Sequence, residues 1–177
     1  MIWESSYWKE PLLESASRLR KFSTSTISDE LDFVTIEKDI FLGFYTIRKL
    51  MDTAKISTAN KEITLALKYY PNIKSVDYLN WHKIDELYDL DSNRQETRKV
   101  RFVCNLMIHS YVFLPDLTED QQLNGFYFAS DTDKNKKLYH LGVTDVIDTF
   151  ELFGNDYPSK SAMTRNEDTG EWEFITG

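Results

Sequence analysis

The run Arg98 to Phe113, RKVRFVCNLMIHSYVF, is the stretch that most narrows what this chain can become. At about 100° per residue, Val100, Val103, Cys104, Met107, Ile108 and Tyr111 fall on one broad face, with Arg98, Arg101, Asn105 and His109 opposite. Phe102, Leu106, Val112 and Phe113 border that second line. A helix apolar nearly all round is one buried on several sides, so the pattern predicts a central helix through the core. A buried line of Arg, Asn and His must then find partners, because each unpaired group costs about 1–3 kcal/mol and a charge more.

Upstream, Leu12, Ala16 and Leu19 repeat at helical spacing to about Phe22, and Pro11 suits the first turn of that helix, where its missing N–H costs nothing. Trp3, Tyr7 and Trp8 form an aromatic cluster expected to pack against the core. Ile36, Ile40, Phe44, Ile47 and Met51 share one face of a second helix, from about Asp29 or Val34 to Ala54. Glu37 and Arg48 sit at the edge of that face, about 16 Å apart along the axis. They are too far apart to pair with each other, and each is available to the Arg98–His109 line.

Glu62 to Tyr70 reads either as a strand or as a short helix, ended by Pro71-Asn72. Leu79, Ile84, Leu87 and Tyr88 suggest a helical turn or two over Tyr78 to Leu90, and Asp91 to Glu96 is a polar link into the central helix. Past Pro115 the texture changes. Gly125 to Ser130 and Lys137 to Gly142 look like strands around the polar turn DTDKNK. Thr144 to Phe153 is a short helix with Thr144 as its cap and Gly154 as its stop. The C-terminal residues have the form of a hairpin turning at Asp168-Thr169-Gly170. The expected fold is α+β: a single domain over 1–177, helical over about 1–115 and mostly antiparallel β over about 120–177.

A chain of 177 residues can bury a real core. Its net charge of −8 repels phosphate backbones, so nucleic acid is not the default partner. The single cysteine, Cys104, rules out an internal disulfide and fits a reducing compartment. MIWESSYWKE carries no apolar run long enough for a signal peptide, and no stretch approaches the ~20 apolar residues of a membrane span. The expected location is the cytoplasm, away from membranes.

Asp131-Thr132-Asp133-Lys134-Asn135 copies the first half of a calcium loop. Such a loop needs Gly at its sixth position and Glu at its twelfth, and here those are Lys136 and Gly142, so a hairpin turn is the better reading. His82 and Glu86 stand at i,i+4, a spacing that suits a metal pair on a helix, but nothing adjacent completes the set. No metal and no cofactor are expected. GxSxG, GxxxxGK[ST] and GxGxxG are all missing. Cys104 and His109 lie about 140° apart around a helix, which prevents a thiolate–imidazole pair within it.

Arg101, Asn105 and His109, at i, i+4 and i+8, stack along one side. The ending Asn105-Leu106-Met107-Ile108-His109 resembles the Asn-x-x-x-His part of the motif in HEPN domains, helical bundles found in many bacterial toxins and defence ribonucleases. The resemblance implies a homodimer that cleaves RNA with His109 and a nearby Arg, Arg101 or Arg98, assisted by Asn105. The sequence departs from the motif where the family commonly has Arg before the Asn, since Cys104 stands there. On the stretches IEKDIFLGFYTIRKL, CNLMIHSYVF and KLYHLG the whole chain also resembles a group of uncharacterised bacterial proteins of similar length, which implies a free-standing bacterial domain. The first functional expectation is a non-enzymatic protein-interaction or accessory protein, with a protein partner or a second copy. In it Arg101, Asn105 and His109 form a buried polar network with Glu37, Arg48 and Arg98 that fixes helix register. The alternative is the HEPN-like ribonuclease.

Overall fold

The two segments with the longest 3.6-residue apolar repeats form the two longest helices, α1 (Ser6–Phe22) and α2 (Glu30–Met51). The computed structural model describes residues 2–166, 170 and 172–177. After α2 come α3 (Thr58–Lys61), β1 (Thr64–Pro71), α4 (Ile84–Leu87), β2 (Arg94–Lys99), α5 (Val100–Ile108) and β3 (Ser110–Leu117). They are followed by β4 (Leu123–Ser130), β5 (Lys137–Gly142), α6 (Val143–Gly154), β6 (Ser161–Arg165) and β7 (Trp172–Thr176). The fold is α+β. Its main sheet is five-stranded and antiparallel, in the order β2-β1-β5-β4-β3, and β6 pairs with β7 apart from it. The strands are not confined to the C-terminal part, since β1, β2 and most of β3 fall within the stretch expected to be helical.

The central run is therefore divided. Only Val100–Ile108 is helix; Arg98 and Lys99 end β2, and Ser110 onward is β3. Ser-Tyr-Val-Phe is rich in residues that fit a pleated surface, and pairing with β4, Phe113 opposite Phe128 and Leu114 opposite Tyr127, decides the outcome. Each neighbouring pair in the sheet is antiparallel, so the two edge strands β2 and β3 run parallel to each other. Parallel strands need a crossover, and α5 is that crossover.

Helices α1, α2, α5 and α6 stack in two layers on one face of the sheet. α5 and α6 touch the strands, and α1 and α2 lie against α5 and α6. The core between them holds Leu19, Ile36, Ile40, Phe44, Phe126, Phe128, Tyr139 and Phe150, all buried. At Gly43 a Cβ would overlap the ring of Phe150, so only glycine lets α2 and α6 approach this closely. Buried Asp39 on α2 accepts from Arg18 (2.6 and 2.9 Å) and Ser15 (2.8 Å) on α1. The fully buried Lys9 donates to the carbonyls of Lys55 (2.8 Å) and Asp156. Burial pushes the Lys9 ammonium below its ordinary pKa.

The opposite face of the sheet is covered in part by the segment 72–90. Val76, Leu87 and Tyr88 close there over Tyr70, Val112, Ala129 and Leu138. Of the helical turn or two expected over Tyr78 to Leu90, one turn forms as α4, within an irregular cover pinned by Tyr88 Oη to Lys134 O (2.7 Å) and Val76 N to Asn135 Oδ1 (2.8 Å).

Three smaller expectations are also corrected. Pro11 lies inside α1, where the carbonyl it leaves unpaired is that of exposed Tyr7, within reach of water. Gly142, not Thr144, holds the N-cap position of α6. Trp3 and Tyr7 are exposed, and Trp8 alone of that cluster packs on the core. The hairpin expected at the C-terminus is present as β6 and β7, while Asp168 and Thr169 of its turn lie outside the described residues.

Gly43→Ala is expected to lower stability by about 1–3 kcal/mol through overpacking against Phe150. Urea unfolding checks this, and an unchanged midpoint would contradict the close approach of α2 to α6.

Candidate functional site

α5 is covered by the sheet on one side and by α2 on another. Its third side opens at the edge of the layers, so the polar line expected to be buried is partly or fully exposed at Arg101, Asn105 and His109. Asp52, at the C-cap of α2, is the acid that meets it. Arg101 Nη1 donates to Asp52 Oδ1 (2.8 Å) and Arg48 Nη1 to Asp52 Oδ2 (2.5 Å), while Arg48 Nε donates to Asn105 Oδ1 (3.1 Å). Burial works against the Asp52 charge, but the hydrogen bonds from Arg101 and Arg48 outweigh it and hold the carboxyl below its ordinary range.

The other site residues stand apart from this network. Glu37 is exposed and makes no ion pair among the described residues. Arg98, on β2, donates to Glu96 Oε1 (2.9 Å) and lies 4.8 Å over the Phe102 ring. Glu96 also accepts from Lys137 (2.9 Å). His109 is the C-cap of α5, its backbone N–H on Asn105 O (3.1 Å). It shares a cleft of about 340 Å³ with Asn105, Ser130, Thr132, Asp131 and Asp133. Cys104 is buried, which pushes its thiol up to about 12 and removes it as a nucleophile. His82 precedes α4, so His82 and Glu86 share no helical face, and the described residues hold no group of three or more potential metal ligands.

A second polar constellation, which no sequence spacing announces, lies on the uncovered part of the sheet's outer face. In β5 the alternation turns Tyr139 and Leu141 into the helical side and leaves Leu138 and His140 on the outer side. His140 stands opposite Lys68 on β1 and Tyr127 on β4. Asp116 on β3 stands opposite Gly125 on β4. The imidazole, only 8% exposed, reaches over Gly125 to place Nε2 2.9 Å from Asp116 Oδ2. A Cβ on Gly125 would sit 2.7 Å from that nitrogen, so the glycine makes the reach possible. Asn124 Nδ2 donates to the same oxygen (2.6 Å).

Burial opposes ionisation of Asp116, and the hydrogen bonds from His140 and Asn124 outweigh it and lower its pKa. An ionised carboxylate can only accept, so the ring nitrogen facing Asp116 is the donor of this hydrogen bond. The sequence signal for this site is faint: a lone His in an alternating strand, and an Asp 24 residues away that only the sheet brings to it.

No protein-family model, curated protein or solved structure matches this chain.

Among these groups Glu96 gives the clearest pH signature. Burial would raise its pKa, but hydrogen bonds from Arg98, Lys137 and Tyr139 prevail and bring it from 4.5 to about 2. A carboxyl depressed in the folded state stabilises fully above its unfolded pKa and loses that stabilisation as pH falls. Glu96→Gln is therefore expected to cost about 1–2 kcal/mol near neutral pH, a gap that closes as pH drops from about 4.5 toward 2. Urea titrations at several pH values check this; a pH-independent gap would contradict it.

Proposed function

We propose that the protein works by protein–protein contact, and that its contact surface is the C-terminal hairpin with the groove at its base. The observation that carries this reading is the hairpin's exposure. Met163 (59%), Trp172 (58%) and Ile175 (58%) face solvent, and a two-stranded ribbon left to itself is marginal in water. Its base is held by Thr176, through N–H to Thr58 Oγ1 (3.0 Å) and Oγ1 to Ile56 O (2.6 Å). Phe174 then opens onto a groove of about 750 Å³ shared with Ile2, Trp3, Met51, Lys55 and Lys61. Trp3 is 97% exposed. Asp52, the acid in this groove, is already matched by Arg48 and Arg101, so the groove is apolar and basic on a chain of net charge −8.

The partner that fits these features is a second copy. The residues joining β6 to β7 read NEDTGE in sequence. Two hairpins lying side by side and antiparallel bring the end of each marked by Arg165 and Trp172 toward the basic groove at the base of the other, which the acidic sequence between those residues complements in charge, and their free edges pair. Sedimentation velocity between about 1 and 100 µM is expected to show a monomer–dimer equilibrium. Lys55→Glu with Lys61→Glu, or Trp172→Ser alone, should weaken it about tenfold or more. A chain monomeric throughout that range overturns the reading.

One observation favours the HEPN-like alternative: His109 and Asn105 are open to solvent in one cleft. Weighing against it, the cleft's acids Asp131 and Asp133 are paired with Lys134 and Lys136 and Arg101 is held by Asp52, so no unpaired cation faces an RNA backbone beside His109 among the described residues. The wild type is expected to leave a mixed RNA pool intact. Cleavage that disappears in a His109→Ala variant with an unchanged melting temperature would reverse the ranking.

A further inference from the structure

The cover formed by residues 72–90 stops short of the part of the outer sheet face that carries His140. There Ala66, Lys68, Asn124, His140, Gly142 and Asp145 line a pocket of about 200 Å³. That is room for several waters or for one small organic molecule. Gly142, opposite Gly125 in register, lines the pocket, and a Cβ there would sit 3.3 Å from Asp145 Oδ2, so the glycine keeps that space open.

The polar walls are fixed from behind. Asp116 does not line the pocket, yet one of its oxygens holds both His140 and Asn124, which do. The two charged residues at the mouth are held more loosely: Lys68 acts on Asp116, and His140 on Asp145, only through longer-range charge. Lys68 and Asp145 share the pocket without an ion pair to each other or to a neighbour among the described residues. Burial, and then the nearby charge of Asp148, disfavour the ionised Asp145 carboxyl, and His140 offsets only part of this, so a cation placed beside it would be favoured.

A simple anion placed here would meet Asp145, and a simple cation would meet Lys68. A molecule carrying both charges a few bonds apart satisfies both residues. We propose that this pocket binds a small zwitterion, in its simplest form an α-amino acid with a short side chain. Its carboxylate lies against Lys68 and its ammonium against Asp145, with His140 and Asn124 as the preset hydrogen-bonding wall. The site is separate from the hairpin surface, and neither reading depends on the other.

The test is a titration of the full chain with glycine, L-alanine and L-serine, followed by amide NMR shifts, with acetate and methylammonium as single-charge probes. Saturable binding with shifts at Asn124, His140 and Gly142 is expected, and each single-charge probe should bind at least about tenfold more weakly. Lys68→Met and Asp145→Asn should each weaken binding about tenfold or more, and Ala66→Phe should abolish it by filling the space. All three residues are exposed, so the variants are expected to keep the wild-type spectrum elsewhere. The proposal is overturned if no amino acid saturates by about 10 mM, if acetate or methylammonium binds as tightly as the amino acids, or if the charge variants bind unchanged.

Discussion

The crossover from one edge of the sheet to the other is the constraint on which the rest of this structure depends. β2 and β3 are the two edges and run the same way, so the chain between them must traverse the sheet. Nine residues of helix, about 14 Å, do this with one residue at each end, Lys99 and His109, outside the helix. Such a short, direct crossing has to be apolar toward the strands and apolar again toward α2. Val100, Val103, Cys104, Leu106 and Met107 meet that demand. What is left of the circumference is a narrow polar strip, which emerges where the layers end and is met there by Asp52.

The same crossing sets the outer face. β3 begins at Ser110 and carries a bulge between Ser110 and Val112, so Asp116 arrives opposite Gly125, on the side of the sheet away from the helices. His140 can then span the intervening strand. One carboxylate oxygen accepting from both an imidazole and an amide is a satisfied arrangement behind a pocket, and it leaves the charges at the pocket mouth as the unmatched ones. Charges elsewhere follow the same economy: Glu96 accepts from Arg98 and Lys137, and Asp39 from Arg18 and Ser15.

Much of the local structure was legible from apolar spacing. The long repeats of α1 and α2 need no tertiary information, and the strands on either side of DTDKNK are marked by a turn that only a hairpin suits. The central run misleads because helix and strand patterns overlap in it. Val112 and Phe113 fit the border of a helical wheel, yet they take opposite sides of β3 once β4 is present to pair with. The expected burial of Arg101, Asn105 and His109 fails for a related reason, since a helical wheel shows which faces are apolar and not how many are covered. The His140 site was illegible because its parts come from β1, β3, β4, β5 and α6, and their meeting depends on strand order.

The division of the central run is thus the point to test, and the measurement is an NMR assignment of Val100 to Leu117 with cross-strand contacts from Asp116. The expected result is helical carbon shifts ending at Ile108, extended shifts from Ser110, an Asp116–Gly125 backbone contact and the His140 ring against Gly125. Helical shifts continuing unbroken through Phe113, with no contact between Asp116 and Gly125, would contradict the crossover, the sheet order and the pocket together.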